Sequence, residues 1–140
     1  MFALSKWYCD CVTEDGAAFI GYWARLRWGP ITIPYAATLH KPPGGSIHER
    51  IILRHSAAPA LTGGALSWHS PRLGFHGEWV TRARACCRTL LDGPEGRITW
   101  SCHVPSANAR IELVGTGLLA GLGYAEHLSM SVKPWLLPFD

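Results

Sequence analysis

The chain is 140 residues long, enough for one domain with a sizeable hydrophobic core. Only 16% of its residues are charged, against about 25% in a typical domain, and the formal net charge is +3. The basic residues are scattered, which argues against nucleic-acid binding. The apolar runs are shorter than the roughly 18 residues that a membrane-spanning helix needs.

The first part of the chain has the alternating pattern of an antiparallel meander. A strand predicted over Trp7–Thr13 leads through Asp15-Gly16, a hairpin signal, into a long return strand over Ala17–Trp28. A third strand is predicted over Ile31–Leu39. Because Pro34 cannot donate a hydrogen bond to a neighbouring strand, it marks an edge or a bend in this third strand.

Short patterned segments separated by turn residues continue to the end of the chain, and none has convincing helical periodicity. Residues 41–46 and 57–64 are rich in proline and glycine and are predicted loops. With about eight to nine strands, residues 1–140 are predicted to form a single all-β domain, either an up-and-down antiparallel barrel or a strongly curved meander sheet. The further strands are predicted over Ile47–His55, Ala65–Ser70, Leu73–Arg82, Arg97–Val104, Asn108–Val114 and Gly121–Met130, and Arg84–Leu91 continues the pattern of Leu73–Arg82.

The last predicted strand has an acidic residue where an apolar one is expected. Alternation puts Glu126 on the same apolar face as Tyr124, whereas His127 points to the other face and cannot form a dyad with it. An apolar cavity would favour the neutral carboxyl group, which can protonate an alkene or enol, or donate a hydrogen bond to a carbonyl. Tyr124 could assist as a second donor. The alternative is that Glu126 faces water at a barrel mouth or pairs with an arginine such as Arg97 or Arg110.

Two further patterns are weak signals of chemistry. Gly115-x-Gly117-x-x-Ala120 matches a loose dinucleotide fingerprint, but the segment after it is a poor helix, so bends in a strand explain these glycines better. The five cysteines include Cys9-x-Cys11 and Cys86-Cys87, which are not zinc-knuckle spacings. Packing in the core is the favoured explanation, and no metal or cofactor is predicted. An odd cysteine count without a signal-peptide pattern predicts reduced thiols in the cytoplasm.

The segment Gly123-Tyr124-Ala125-Glu126-His127, preceded by Ile98-Thr99-Trp100, resembles the lipocalin-like superfamily of carotenoid hydratases (hydroxyneurosporene synthases) and tocopherol cyclases. The resemblance implies a lipocalin-like barrel with an apolar cavity, in which Glu126 is the general acid and Tyr124 lies beside it. The family has Asn-Trp-Gly where this chain has Leu128-Ser129-Met130. Family members also carry two barrels, so the resemblance implies that residues 1–140 correspond to the first barrel only, either as an incomplete copy or as a lone barrel that needs a partner.

The leading hypothesis is a barrel that binds a terpenoid, polyene or lipid-like molecule and possesses two candidate catalytic residues, Glu126 and Tyr124. Whether it is an enzyme stays open; the enzymatic version is a cofactor-independent hydratase or other lyase, or a cyclase or isomerase. The alternatives are a non-catalytic binding barrel, or a structural half-domain that needs a second domain or forms a homodimer. The candidate ligand-binding residues are Trp23, Trp79, Trp100, His127 and Met130.

Overall fold

The computed structural model describes residues 1–137 and is built from antiparallel strands. No α-helix occurs in this part of the chain, which has one 3-10 turn over Pro134–Leu136. The all-β prediction is confirmed for these residues; residues 138–140 of the predicted domain lie outside the described part. The ten strands are β1 (Phe2–Val12), β2 (Ala18–Trp28), β3 (Ile31–Lys41), β4 (His48–Ile52), β5 (Ala60–Thr62), β6 (Ala65–Ser70), β7 (Phe75–Thr81), β8 (Cys86–Gly93), β9 (Gly96–Leu113) and β10 (Gly117–Met130).

These strands form one sheet that stays open. Its order is β4-β3-β2-β1-β10-β9-β7-β6-β5, and β8 also pairs with β9. The two ends of this order, β4 and β5, are not paired with each other within residues 1–137. Of the two predicted architectures, the curved meander sheet is therefore the one that forms. None of the described helical residues makes a segment long and apolar enough to cross a membrane.

Strong curvature brings distant strands of this sheet together on its concave face. The ring of Phe19 on β2 lies 5.0 Å from that of Phe75 on β7 in a tilted arrangement, although three strands lie between β2 and β7 in the sheet order. The aromatic side chains of this face form the core, in which Cys9 and Cys11 are also fully buried. Six of these aromatic residues are at most 8% exposed: Trp7, Phe19, Trp23, Trp68, Phe75 and Trp79.

Strand β9 joins two segments that the sequence predicts as separate strands, Arg97–Val104 and Asn108–Val114. The register between β9 and β10 shifts where Pro105 lies, from Ala107 opposite Gly123 to Val104 opposite Ala125. A β-bulge tolerates proline because the extra residue makes no hydrogen bond to the neighbouring strand. The long β9 also has two partners on its other side, since β8 pairs with its first half and β7 with its second.

Trp79 crosses the concave face and connects its two halves. Its side chain starts on β7, and its Nε1 donates a hydrogen bond of 2.6 Å to the backbone oxygen of Asp10 on β1. The indole ring therefore spans β9 and β10. It passes over Gly123, where a Cβ atom would lie 2.6 Å from the Asp10 oxygen and 2.7 Å from Trp79 Cδ1. Close approach of these groups, rather than a bend, explains the glycine.

Gly123→Ala is expected to destabilise the protein by about 1–3 kcal/mol, because the added methyl group would push Trp79 and β1 apart in a packed core. Urea unfolding followed by tryptophan fluorescence measures this loss. Gly93→Ala is the matched control, since a Cβ atom there meets nothing within 4 Å, and it should change the free energy of unfolding by less than about 1 kcal/mol. Equal effects of the two substitutions would contradict this explanation of Gly123.

Candidate acid and ligand site

Glu126 lies on the side of the sheet opposite the core, hereafter the second face. On β10 the fully buried neighbour Ala125 points into the core, so Glu126 and Tyr124 point away from it. The sequence predicts the reverse, with the face of Glu126 turned to the interior. The prediction fails because alanine and glycine on the core side leave room for large side chains from other strands, whereas the bulky residues of β10 itself lie on the second face.

The Glu126 carboxyl group is bound by two donors at a single oxygen. Trp100 Nε1 donates to Glu126 Oε2 at 2.6 Å, and the Tyr124 hydroxyl donates to the same atom at 2.5 Å. All three side chains are half-buried. Because the indole nitrogen can only donate, Oε2 is an acceptor, and a proton on this carboxyl group would sit on Oε1.

The predicted ion pairs of Glu126 are not formed in the described part of the chain. Arg97 instead pairs with Asp92 at 2.8 Å, and Arg110 is exposed on the other half of β9. Glu126 thus has neither of its two predicted environments. It lies in a half-buried network of neutral donors. This environment is intermediate between the enclosed apolar interior and the open water of the two predictions.

Three residues that sequence reasoning missed complete the network. Tyr8 lies opposite Glu126 in the β1–β10 register, and Asp10 lies opposite Tyr124. The Tyr8 hydroxyl donates to Asp10 Oδ2 at 2.9 Å, and its ring lies 5.3 Å from that of Tyr22 on β2. These three residues, with Trp100, Tyr124 and Glu126, are called the aromatic–acid cluster. The alternation of the first strand puts Tyr8 and Asp10 on one face, but nothing in the sequence pairs β1 with β10.

Burial shifts the titration of several groups in this cluster. It raises the pKa of Asp10, opposed by hydrogen bonds from the Tyr8 hydroxyl and the backbone of Tyr124. Burial, and then the hydrogen bond to Asp10, raise the pKa of Tyr8. Burial and the bond to Glu126 likewise raise the pKa of Tyr124. Both tyrosines are therefore neutral donors over the physiological pH range.

The remaining predicted ligand-binding residues lie elsewhere. Trp79 and Trp23 are core residues of the concave face, and their indole nitrogens donate to backbone oxygens, that of Trp23 to Ser56 at 3.1 Å. Met130 lies at the far end of β10, where it lines a separate cleft. His127 lies on the concave face beside Trp7, whereas the predicted orientation of the strand turns it away from the interior. Of the predicted site residues, the structure brings together Trp100, Tyr124 and Glu126.

His127 belongs to a second group of polar residues, at the edge of the core. Its Nε2 is 2.8 Å from the Ser5 hydroxyl oxygen, and its ring lies 4.8 Å from that of Trp7. The ring of His103 lies 5.2 Å from the same indole. Burial lowers the pKa of His103, and burial together with the nearby His103 lowers the pKa of His127. Both imidazoles therefore favour the neutral form.

Stability should depend on these histidines at mildly acidic pH. The unfolded chain, with a histidine pKa of about 6.5, binds protons more readily than the folded chain, so the free energy of unfolding should fall as the pH drops below about 6.5. His127→Gln should flatten this dependence, and exposed His55→Gln should not. Urea midpoints measured from neutral to mildly acidic pH test this. A slope unchanged in His127→Gln would contradict the expectation.

A cleft of about 710 Å³ opens at the end of β1 and the beginning of β10. Val12, Leu118 and Leu122 line it from the second face, and the core residues Ala17 and Leu119 line it as well. Val12 lies opposite Leu122, two pairs further along the strands than Asp10 and Tyr124 and on the same face. Leu122 and Glu126 are four residues apart on β10, a distance of about 13 Å along the strand. None of the residues that line the cleft belongs to the aromatic–acid cluster.

No protein-family model matches this chain, and no curated protein matches its sequence. Among solved structures, the fold is similar to the crystal structure of a protein from Nitrosomonas europaea provisionally named AttH, with a TM-score of 0.55 and 13% sequence identity. The match covers 94% of this chain and 52% of that protein, so the chain spans about half of the length of its neighbour. At this identity the similarity shows a shared fold alone. The resemblance to carotenoid hydratases and cyclases stays a prediction.

Proposed function

We propose that this protein binds a hydrophobic small molecule, such as a terpenoid, polyene or lipid-like compound, along the second face of its sheet. In this proposal Glu126 is the acid for hydration, cyclisation or isomerisation of the bound molecule. The observation that carries the proposal is the Glu126 carboxyl group, half-buried among aromatic residues and held at one oxygen by Trp100 and Tyr124.

The distribution of apolar surface supports binding on the second face. The concave face is filled by its own aromatic side chains, which leave little space there for a ligand. On the second face, neighbouring strands place apolar residues side by side, and Val12 and Leu122 are more than half exposed. A cleft of about 710 Å³ is within the range of about 300–1,000 Å³ that is usual for small-molecule sites.

The hydrogen bonds of Glu126 suit proton transfer from its other oxygen. A proton on Oε1 would pass to one carbon of an alkene, and a carbocation would form at the next carbon. Tyr124 and Trp100 would stabilise the carboxylate left behind, because both already donate to Oε2. In a hydration, water then adds to the cation and returns a proton to Glu126. In an isomerisation, a carbon next to the cation instead loses a proton to the Glu126 carboxylate, and the double bond forms at a new position.

A second candidate is a structural or purely binding role, in which a partner covers the second face. The chain exposes 8419 Å², whereas a monomer of 15.4 kDa typically exposes about 7,200 Å². An open sheet with exposed apolar residues such as Ile33 and Ile51 accounts for such an excess. A second domain or another subunit would then bury this face, and Glu126 would have a structural role.

Glu126→Gln separates the two candidates. It preserves the shape of the side chain but cannot supply the proton, so turnover of an acyclic polyene in isotopically labelled water should fall by at least about 100-fold. Binding of all-trans-retinol, measured by tryptophan quenching, should change by less than about twofold. Glu78→Gln, on an exposed position of β7, is the matched control and should change neither.

A third variant tests the place of binding. Leu122→Asp puts a charge on the apolar wall of the cleft and should weaken retinol binding by about tenfold or more. Full turnover in Glu126→Gln would show that the acid assignment is wrong. Retinol binding unchanged in Leu122→Asp would contradict the proposed location, and absence of retinol binding in the unmodified protein would contradict the ligand class.

A further inference from the structure

A second cleft, of about 340 Å³, lies at the opposite end of the sheet and is lined mainly by basic and hydroxyl side chains. It contains three arginines, Arg25 and Arg27 of β2 and Arg97 of β9, and no aspartate or glutamate is among its lining residues. The three arginines belong to β2 and β9, the two strands that flank the β1–β10 pair in the sheet. The cleft is independent of Glu126 and of the function proposed for it.

Arg25 and Arg27 provide its unbalanced positive charge. They are two residues apart on one face of β2, so their backbones are separated by about 7 Å. Both are exposed, and the guanidinium carbon of Arg25 lies 5.7 Å from the centre of the Trp23 ring. Stacking on an indole limits the rotation of a guanidinium group and leaves its N–H groups free for an anion. Arg97 already pairs with Asp92.

Hydroxyl groups line the cleft between these arginines. Ser5 lies opposite Arg25 on one side and opposite Ser129 on the other, so the three side chains share a face. The Ser5 oxygen is 2.8 Å from His127 Nε2. When His127 carries its proton on Nε2, it donates to this oxygen, and the Ser5 hydroxyl hydrogen is free to bind an anion.

We propose that this cleft binds the phosphate group of a small organic phosphate through Arg25 and Arg27, with Ser5 and Ser129 as neutral donors. Two arginines without a lining carboxylate match the charge of a phosphate dianion, and planar guanidinium groups bind its oxygens in pairs. The hydroxyl groups bind the oxygens that the arginines leave free. A carboxylate, which has two oxygens and one charge, would use only part of this donor set.

Titration calorimetry with hexyl phosphate tests the proposal directly. Arg25→Gln and Arg27→Gln should each weaken binding by about tenfold or more, the range of a charge-assisted hydrogen-bond pair. Arg84→Gln, an exposed arginine outside the cleft, is the matched control and should leave the affinity within about twofold. Equal losses in Arg84→Gln and Arg25→Gln, or equal affinities for hexyl phosphate and hexanol, would overturn the proposal.

Vesicles of phosphatidic acid distinguish the two sources of a phosphate group. Binding of hexyl phosphate in solution, lost in Arg25→Gln, supports a soluble phosphate monoester. Binding only to the vesicles, again lost in Arg25→Gln but not in Arg84→Gln, supports a lipid headgroup in the same cleft. Binding to neither probe overturns the proposal.

Discussion

The hydrogen bond from the Trp79 indole to the backbone of Asp10 is the constraint on which the shape of this sheet depends. The bond joins β7 to β1 across two intervening strands, and its length is 2.6 Å. The indole can lie there because glycine occupies position 123 beneath it. Other core rings pack from opposite parts of the sheet in the same way, as Phe19 does on Phe75. The sheet is thereby curved tightly around its own side chains.

This packing has a direct consequence for function. A strongly curved sheet can hold a ligand in its concave interior, but here the aromatic side chains of the core occupy that face. The polar side chains of the candidate sites lie outside this core. On the second face, β1 and β10 bring Tyr8 and Asp10 beside Tyr124 and Glu126. At the edge of the concave face, the same two strands bring Ser5 to His127. The β1–β10 pair thus contributes residues to both candidate sites.

The sequence predicts the all-β class, the opening meander and the contact between Tyr124 and Glu126, because alternation and turn residues are local signals. It does not predict the orientation of β10. Alternation defines two faces, but which one is buried depends on side chains from other strands, here Trp79 above Gly123. The pairing of β1 with β10 joins residues over a hundred positions apart, as in Ser5 with His127. For that reason Tyr8 and Asp10 could not be assigned to the site.

The most direct test of the account concerns the Trp100 indole and the Glu126 carboxyl group, which are 2.6 Å apart on the second face. Nitrogen-labelled protein gives a separate NMR signal for each indole N–H. In Glu126→Ala the Trp100 signal should move upfield and its hydrogen should exchange faster, while the signal of the buried Trp79 stays unchanged. An unchanged Trp100 signal together with a shifted Trp79 signal would place the carboxyl group in the concave core and contradict the account.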